Sequence, residues 1–140
     1  MKTLLLISAM LASQAFAQDA RQLAPLPPAA QESLRIEMLD NLIGLNEVLT
    51  LMAAGKTKEA GAFAEKEFGV SAMGKHRSKP ADARPGANMP PAMHGIGMDG
   101  HKAASEFAKV AATGDRDKAL ALLPSLTGAC VACHLSYRTR

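Results

Sequence analysis

The segment 127–138 reads TGACVACHLSYR. Within it, Cys130, Cys133 and His134 form a C-x-x-C-H pattern, which is the attachment sequence of c-type haem. On a helix, residues three and four apart share a face, so both cysteines can reach the vinyl groups on one edge of a porphyrin and form thioether bonds. His134 leaves the same face, and neutral imidazole is a good iron ligand. The pattern therefore predicts one covalent haem c, with His134 as the proximal iron ligand.

Other uses of the two cysteines are a structural disulfide, a thioredoxin-like redox pair and a zinc site. A thioredoxin-like pair usually opens a helix after a strand, because the helix N-terminus lowers the pKa of the thiol. No strand-turn-helix pattern precedes Cys130. A zinc site needs about four ligands, and the chain has only two cysteines. Haem attachment therefore remains the predicted use of the two cysteines.

The first 17 residues predict a secretory signal peptide. A short positive start at Lys2 precedes an apolar run from Leu4 to Leu11, and the small-x-small sequence that ends at Ala17 is a cleavage site. The run is shorter than the roughly 20 residues of a membrane-spanning helix. We expect no later membrane span and export to a bacterial periplasm, where thioether attachment of haem takes place.

Residues 18–140 then form one domain of ordinary size. The predicted signal peptide holds one of the 16 basic residues and none of the 13 acidic ones, which leaves a small positive excess. Such a small excess argues against nucleic acid as a partner. The chain has no Trp and one Tyr, and its many small side chains would bury a thin core. We expect the haem to supply much of the missing apolar bulk.

Two helices are predicted in the first half of the mature chain. Helix 1 begins near Pro28, because proline is favoured in a first turn, and Gly55 is a natural C-cap. Its apolar stripe has helical spacing and comprises Leu34, Met38, Leu42, Leu45, Leu49 and Met52. Helix 2 runs from Thr57, a predicted N-cap, to Phe68.

Helix 3 is predicted from Pro91 to Thr113, with Gly114 as its stop. Three glycines lie in its first half, at Gly95, Gly97 and Gly100. Each destabilises a helix by roughly 1 kcal/mol relative to alanine. The glycines indicate either close approach by something bulky or a later helix start at Asp99, and the later start is the favoured interpretation.

Helix 4 is predicted to begin after Asp115, with a kink or a restart at Pro124. Its inner seam comprises Leu120, Leu123, Thr127, Cys130, His134 and Tyr137 or Arg138. A loop over residues 75–91 joins the two helix pairs. The fold class is therefore all-α, and the architecture is an antiparallel four-helix bundle whose last helix carries the haem.

The closing segment resembles that of the class II c-type cytochromes, cytochrome c-prime and its low-spin relatives. The match is specific over residues 127–138 and extends more weakly to Arg35 in helix 1 and to the Gly114-Asp115 turn. The resemblance implies that Cys130 and Cys133 hold the haem and that His134 is the proximal ligand. It also implies that Arg138 lies beside the proximal imidazole, although a cation near a helix C-terminus is also favoured by the helix dipole.

Three candidates compete for the other side of the iron. The resemblance places one helix 1 site there, which is either an apolar cover over an open iron or a methionine ligand, and counting places it at Leu39. Met38 is its neighbour on the apolar stripe and would make a Met–His pair with a raised potential. His101 of helix 3 is the third candidate, although a lone histidine there is more often a hydrogen-bonded core or surface residue.

A different function is suggested by a cluster of Met and His residues. Thioether and imidazole groups suit Cu(I), and the cluster comprises Met89, Met93, His94, Met98 and His101. The alternative is a mobile loop that covers the bundle with adaptable methionines.

The function predicted is one-electron transfer between exported redox proteins, with the haem as the reactive group. The alternatives are binding of nitric oxide or another gas at an open iron, and copper binding. No paired carboxylates or Ser-His arrangement indicates an enzyme. The resemblance implies that such bundles commonly pair as homodimers through their first two helices, and the stripe on helix 1 does not by itself decide this.

Overall fold

The structure is a computed structural model that describes residues 19–140. This part of the chain is mostly helical, which confirms the all-α class. The helices are α1 (Pro28–Ala53), α2 (Thr57–Phe68), α3 (Pro85–Asn88), α4 (Pro91–Ala111), α5 (Arg116–Ala121) and α6 (Leu123–Ser136). Two short strands, β1 (Gln22–Leu23) and β2 (Tyr137–Arg138), pair in parallel. The predicted signal peptide lies outside the described residues.

The turn between α1 and α2 follows the predicted glycine. Gly55 has a φ of 74°, a left-handed conformation that glycine adopts at no steric cost. The Gly55 N–H donates to the Met52 carbonyl at 3.1 Å, and the Lys56 N–H donates to the Leu51 carbonyl at 2.9 Å. These two bonds make a Schellman motif. The predicted N-cap at Thr57 is wrong by one residue, because Thr57 is the first helical residue and is buried.

Helix α4 begins at Pro91, so the alternative start at Asp99 is wrong. Pro91 is favoured in the first turn, and Met93 is only 2 % exposed, so packing offsets the glycines that follow. Ala111 ends the helix, two residues before the predicted end at Thr113.

The interruption predicted at Pro124 is confirmed. Helix α5 ends at Ala121 and α6 begins at Leu123, which places Pro124 in the first turn of α6, where its missing N–H leaves no hydrogen bond unmade. The Asp115 carboxylate accepts a hydrogen bond from the Lys118 N–H at 3.1 Å, as expected of an N-cap.

The inner seam predicted for the last helix ends earlier than expected. Helix α6 ends at Ser136, and Tyr137 has the extended backbone of a strand. Tyr137 pairs with Gln22 of β1. Pairing with this distant segment competes with one more helical turn, so Tyr137 and Arg138 are not helical residues.

Two apolar clusters hold the described helices together. The central cluster comprises Val48, Met52, Ala60, Ala64, Ala104, Phe107, Ala111, Ala119 and Leu126. The terminal cluster comprises Ala24, Leu26, Ala30, Leu34 and Met93, with Met38, Met89, Cys133 and Tyr137 packed against it. Five of the nine central residues are alanines, so the core is thin, as the composition predicted.

Small residues set the closest helix contacts. A Cβ added at Gly61 of α2 would lie 2.6 Å from the Cβ of Ala111 in α4, and one added at Gly100 of α4 would lie 3.1 Å from the Cβ of Ala129 in α6. Helix α2 thus packs closely on α4, and α4 packs closely on α6. Helices α1 and α6 are not in close backbone contact.

The predicted loop between the helix pairs is partly structured. It contains 3₁₀ turns at Val70–Ala72 and Ala81–Ala83 and the short helix α3. The segment lies against α1, where His76 Nε2 is 3.0 Å from Glu37 Oε2 and the Lys79 ammonium donates to the Ser33 hydroxyl at 3.0 Å.

Candidate haem-attachment site

The C-x-x-C-H residues lie in the last turns of α6. Cys130 and His134 are exposed, Cys133 is half-buried, and both thiols are free. Because the three residues are three and four apart on a regular helix, their side chains leave one side of α6. The helical spacing that haem attachment requires is therefore present.

The environment of the thiols differs from that of a thioredoxin-like pair. Burial raises the pKa of both Cys130 and Cys133, and the neighbouring Cys130 raises that of Cys133 further. A redox-active pair needs a lowered thiol pKa at a helix N-terminus, whereas these cysteines lie toward the C-terminal end of α6. In residues 19–140, no group of three or more His, Cys, Asp and Glu side chains is arranged to hold a metal ion.

Because Leu45 of α1 and Leu123 of α6 pack against the same central cluster, we infer that one face of each helix borders the space between them. The α6 face has i+4, i+3, i+4 spacing and comprises Leu123, Thr127, Cys130 and His134. The α1 face repeats this spacing with Met38, Leu42, Leu45 and Leu49. Leu45 and Leu123 pack against the central cluster, and Met38 packs against the terminal cluster. We call the space between the two faces the α1–α6 groove.

Apolar side chains on the α1 face of this space are left uncovered by the described chain. Leu42 is 65 % exposed, although it lies in the middle of the predicted core stripe. Leu126 is the single buried residue of α6. An apolar side chain that stays in water lacks the stabilisation of about 1.5–3 kcal/mol that its burial would give. A flat apolar group bound between α1 and α6 would cover these side chains, so the residues present fit a porphyrin held by Cys130 and Cys133.

The two helix 1 candidates for the distal position lie on different sides of α1. Met38 is half-buried and packs against the terminal cluster, as Cys133 does. Leu39 is 59 % exposed and belongs to neither cluster. Successive residues of a helix are about 100° apart, so Leu39 is directed away from the cluster that Met38 shares with Cys133.

The third distal candidate is held by another helix. The His101 Nδ1–H donates to the Phe68 carbonyl at 2.7 Å and lies 3.2 Å from the Gly69 carbonyl. These carbonyls end α2, so the His101 ring is directed to α2 rather than to α6. The bond satisfies a carbonyl at a helix C-terminus. A hydrogen-bonded role of this kind is more common for a lone histidine than iron ligation.

The proposed copper ligands do not share one location. Met93 is buried in the terminal cluster and Met89 packs against it, whereas His101 is bonded to α2. Met98 lies five residues after Met93, which turns it about 140° away on the helix. His94 is exposed. Met89 and Met93 instead join Met38 beside Cys133.

Arg138 lies in β2 and contacts the N-terminal segment. Its Nε donates to the Arg21 carbonyl at 3.1 Å and is 3.9 Å from a carboxylate oxygen of Asp19. A guanidinium nitrogen of Arg21 donates to the His134 carbonyl at 3.4 Å. Neither Asp19 nor Arg21 stands out in the sequence, because a strand of two residues leaves no periodic signal.

One apolar stretch bears on the prediction that no membrane span follows the signal peptide. Within residues 19–140, Arg116–Ser136 is long and apolar enough to cross a membrane by length and composition alone. Only 11 % of its most apolar window is buried. The stretch includes the break between α5 and α6 and carries the C-x-x-C-H residues on its last turns.

Comparison of the chain with protein-family models, with curated proteins and with solved structures gives no match.

Proposed function

We propose that this chain is an exported monohaem c-type cytochrome that carries single electrons between redox proteins in the periplasm. The proposal includes a four-helix arrangement in which α1, α2, α4 and the α5–α6 pair surround the haem. The contacts between α1 and α2, α2 and α4, and α4 and α6 supply three sides of such a bundle. The α1–α6 groove supplies the fourth side, and the haem would lie there.

The observation that carries the proposal is that the C-x-x-C-H residues share one side of α6 while Cys133 packs against the same cluster as Met38 of α1. Cys130 and His134 belong to the α6 face of the groove, and Cys133 packs against the terminal cluster at its end. Apolar side chains on the facing side of α1 are exposed, above all Leu42. Attachment chemistry and a matching apolar surface thus occur at one place.

Attachment needs no oxidant or reductant. Cys130 and Cys133 would each hold the porphyrin through a thioether, formed by addition of the S–H bond across one vinyl group, with sulfur on one vinyl carbon and hydrogen on the other. Burial raises the pKa of both thiols, and a thiol with a raised pKa is less readily oxidised than one with a lowered pKa. When bound, the haem supplies the one-electron chemistry, and the chain supplies burial, orientation and axial ligands.

Met38 is proposed as the distal ligand. Its thioether is on the α1 side that borders the α1–α6 groove, and its half-buried side chain packs against the same cluster as Cys133. Met38 and His134 would together hold the iron, and a Met–His pair would raise its potential. Six-coordinate iron favours electron transfer over gas binding, because the sixth position is then occupied.

The experiment is mass spectrometry of the exported, processed protein made in cells that attach c-type haem. The mature chain should carry the added mass of one haem. Replacing both Cys130 and Cys133 by alanine should remove that mass, and replacing His134 by alanine should retain it but change the visible spectrum. A wild-type chain without added mass, recovered beside a control cytochrome that is loaded normally, would contradict the proposal.

A further inference from the structure

The N-terminal segment of the described chain is hydrogen-bonded to the residues that follow α6. Residues 19–27, here the N-terminal strap, run alongside β2, where Gln22 pairs with Tyr137 and Leu23 with Arg138. The Ala24 N–H donates to the Arg138 carbonyl at 2.8 Å. The segment that follows the predicted cleavage site is thus bound to the residues that follow His134.

A second contact is made with the backbone of His134. A guanidinium nitrogen of Arg21 donates to the His134 carbonyl at 3.4 Å. The last carbonyls of a helix have no partner within it. The Tyr137 N–H satisfies that of Cys133, and Arg21 satisfies that of His134. The strap therefore supplies a partner that α6 lacks at the proposed iron ligand.

The orientation of Arg21 is itself fixed. The Asp19 carboxylate accepts hydrogen bonds from Arg21 Nε at 2.9 Å and from Arg21 Nη2 at 2.7 Å. Arg138 Nε donates to the Arg21 carbonyl at 3.1 Å. A bidentate pair between a guanidinium and a carboxylate holds the two groups in one plane. The remaining guanidinium nitrogen of Arg21 is then the one that faces the His134 carbonyl.

The strap also forms one wall of the terminal cluster. Ala24 is 1 % exposed and Leu26 is 6 % exposed, and both pack in the cluster against which Met38 and Cys133 lie. Displacing the strap would uncover this cluster at the end of the α1–α6 groove. Polar contacts at His134 and apolar contacts at Cys133 therefore come from one short segment.

We propose that Arg21 is a positioning residue for the proximal ligand, and that the N-terminal strap fixes the orientation of the His134 ring relative to the haem. This inference rests on the proposed function, because it concerns the imidazole as an iron ligand. Arg21 acts through the backbone of α6 and does not touch the iron. Its effect is on the orientation of the His134 imidazole ring.

The test compares Arg21→Gln, Arg21→Lys and the control Arg35→Gln in the full-length, haem-loaded protein. Arg35 is also an exposed arginine, paired with Glu32 within α1. The readouts are the ferric haem-methyl proton shifts, which report the plane of the axial imidazole, and the midpoint potential. Arg21→Gln should change both, Arg21→Lys should restore most of the wild-type values, and Arg35→Gln should leave them unchanged.

A readout that does not depend on the iron is amide exchange in the same haem-loaded proteins. Arg21→Gln should speed this exchange at residues 134–138 about fivefold, as expected for one lost hydrogen bond. If Arg21→Gln does not accumulate, Asp19→Asn leaves Arg21 in place and should change the methyl shifts in the same direction by less. Haem-loaded Arg21→Gln with wild-type shifts and potential overturns the positioning role alone, whereas a wild-type chain without haem overturns the proposed function and this inference with it.

Discussion

Met38 of α1 and Cys133 of α6 pack against the same buried cluster, although the two helices are not in close backbone contact. That cluster contains Ala24 and Leu26 of the N-terminal strap and Met93 of α4, together with Ala30 and Leu34 of α1. The fold therefore brings the Met38 thioether to the cluster that Cys133 also contacts, whereas the adjacent Leu39 belongs to neither cluster.

Replacing Met38 by alanine should convert the ferrous protein from a six-coordinate, low-spin visible spectrum to a five-coordinate, high-spin one. The reason is that the alanine methyl group cannot bind iron. Leu39→Ala is the matched comparison and should leave the iron six-coordinate, because the leucine side chain has no atom that can bind iron. A wild-type protein that is already five-coordinate, with Leu39→Ala altering its affinity for nitric oxide, would favour the gas-binding alternative.

Replacing His101 by alanine should leave the visible spectrum of the haem-loaded protein unchanged. It should lower the free energy of unfolding by about 1 kcal/mol, because the hydrogen bond to the Phe68 carbonyl is lost. Urea unfolding and an absorption spectrum of the same sample check both parts. A low-spin wild-type spectrum that becomes high-spin in His101→Ala would make His101 the ligand.

Alanine at two of the α4 glycines should stabilise the protein. A Cβ at Gly95 or Gly97 meets no atom within 4 Å, and each replacement should add about 0.5–1 kcal/mol by reducing the freedom of the unfolded chain. Gly61→Ala should instead cost about 1–3 kcal/mol, because its Cβ would lie 2.6 Å from the Ala111 Cβ and 3.0 Å from the Ala108 carbonyl oxygen. Thermal unfolding of the three variants shows whether each one is stabilised or destabilised. Equal shifts in the melting temperature would contradict the close packing of α2 on α4.

Acid should weaken the contact between α2 and α4 through Glu65. A hydrogen bond from the Ser105 hydroxyl, further hydrogen bonds from Ser71 and the electrostatic effect of the nearby His101 hold the pKa of Glu65 below its usual value of 4.5. Because the folded pKa is lowered, this stabilisation is present above the unfolded pKa and is lost as the pH falls through the folded value.

The free energy of unfolding, measured between about pH 5 and pH 3, should therefore fall less steeply in Glu65→Gln than in the wild type. Glu47→Gln, at an exposed position of α1, is the control and should keep the wild-type slope. Equal slopes in all three proteins would remove the contribution assigned to Glu65.

The haem-free chain should be loosely packed. Five of the nine central-cluster residues are alanines, and Leu42 and Leu49 are 65 % and 45 % exposed. The variant with alanine at both Cys130 and Cys133 should unfold over a broader temperature range than the haem-loaded protein, as measured by circular dichroism. A sharp transition with a calorimetric enthalpy equal to the van't Hoff value would contradict this expectation.

Local sequence determined the turn between α1 and α2 and the break between α5 and α6. Gly55 and Pro124 act on their immediate neighbours through backbone geometry, so the α1–α2 turn and the break before α6 could be predicted from them. The spacing of Cys130, Cys133 and His134 likewise defines a shared helix face without reference to any other element. These features depend on interactions within a few residues of each other.

Tertiary structure decided what the local patterns left open. The distinction between Met38 and Leu39 depends on which side of α1 is covered, and that side is set by the strap and by Met93. The end of α6 at Ser136 depends on pairing between Gln22 and Tyr137, which neither segment encodes alone. Contacts between residues far apart in the chain form only once the helices pack, so the periodicity of a single helix does not contain them.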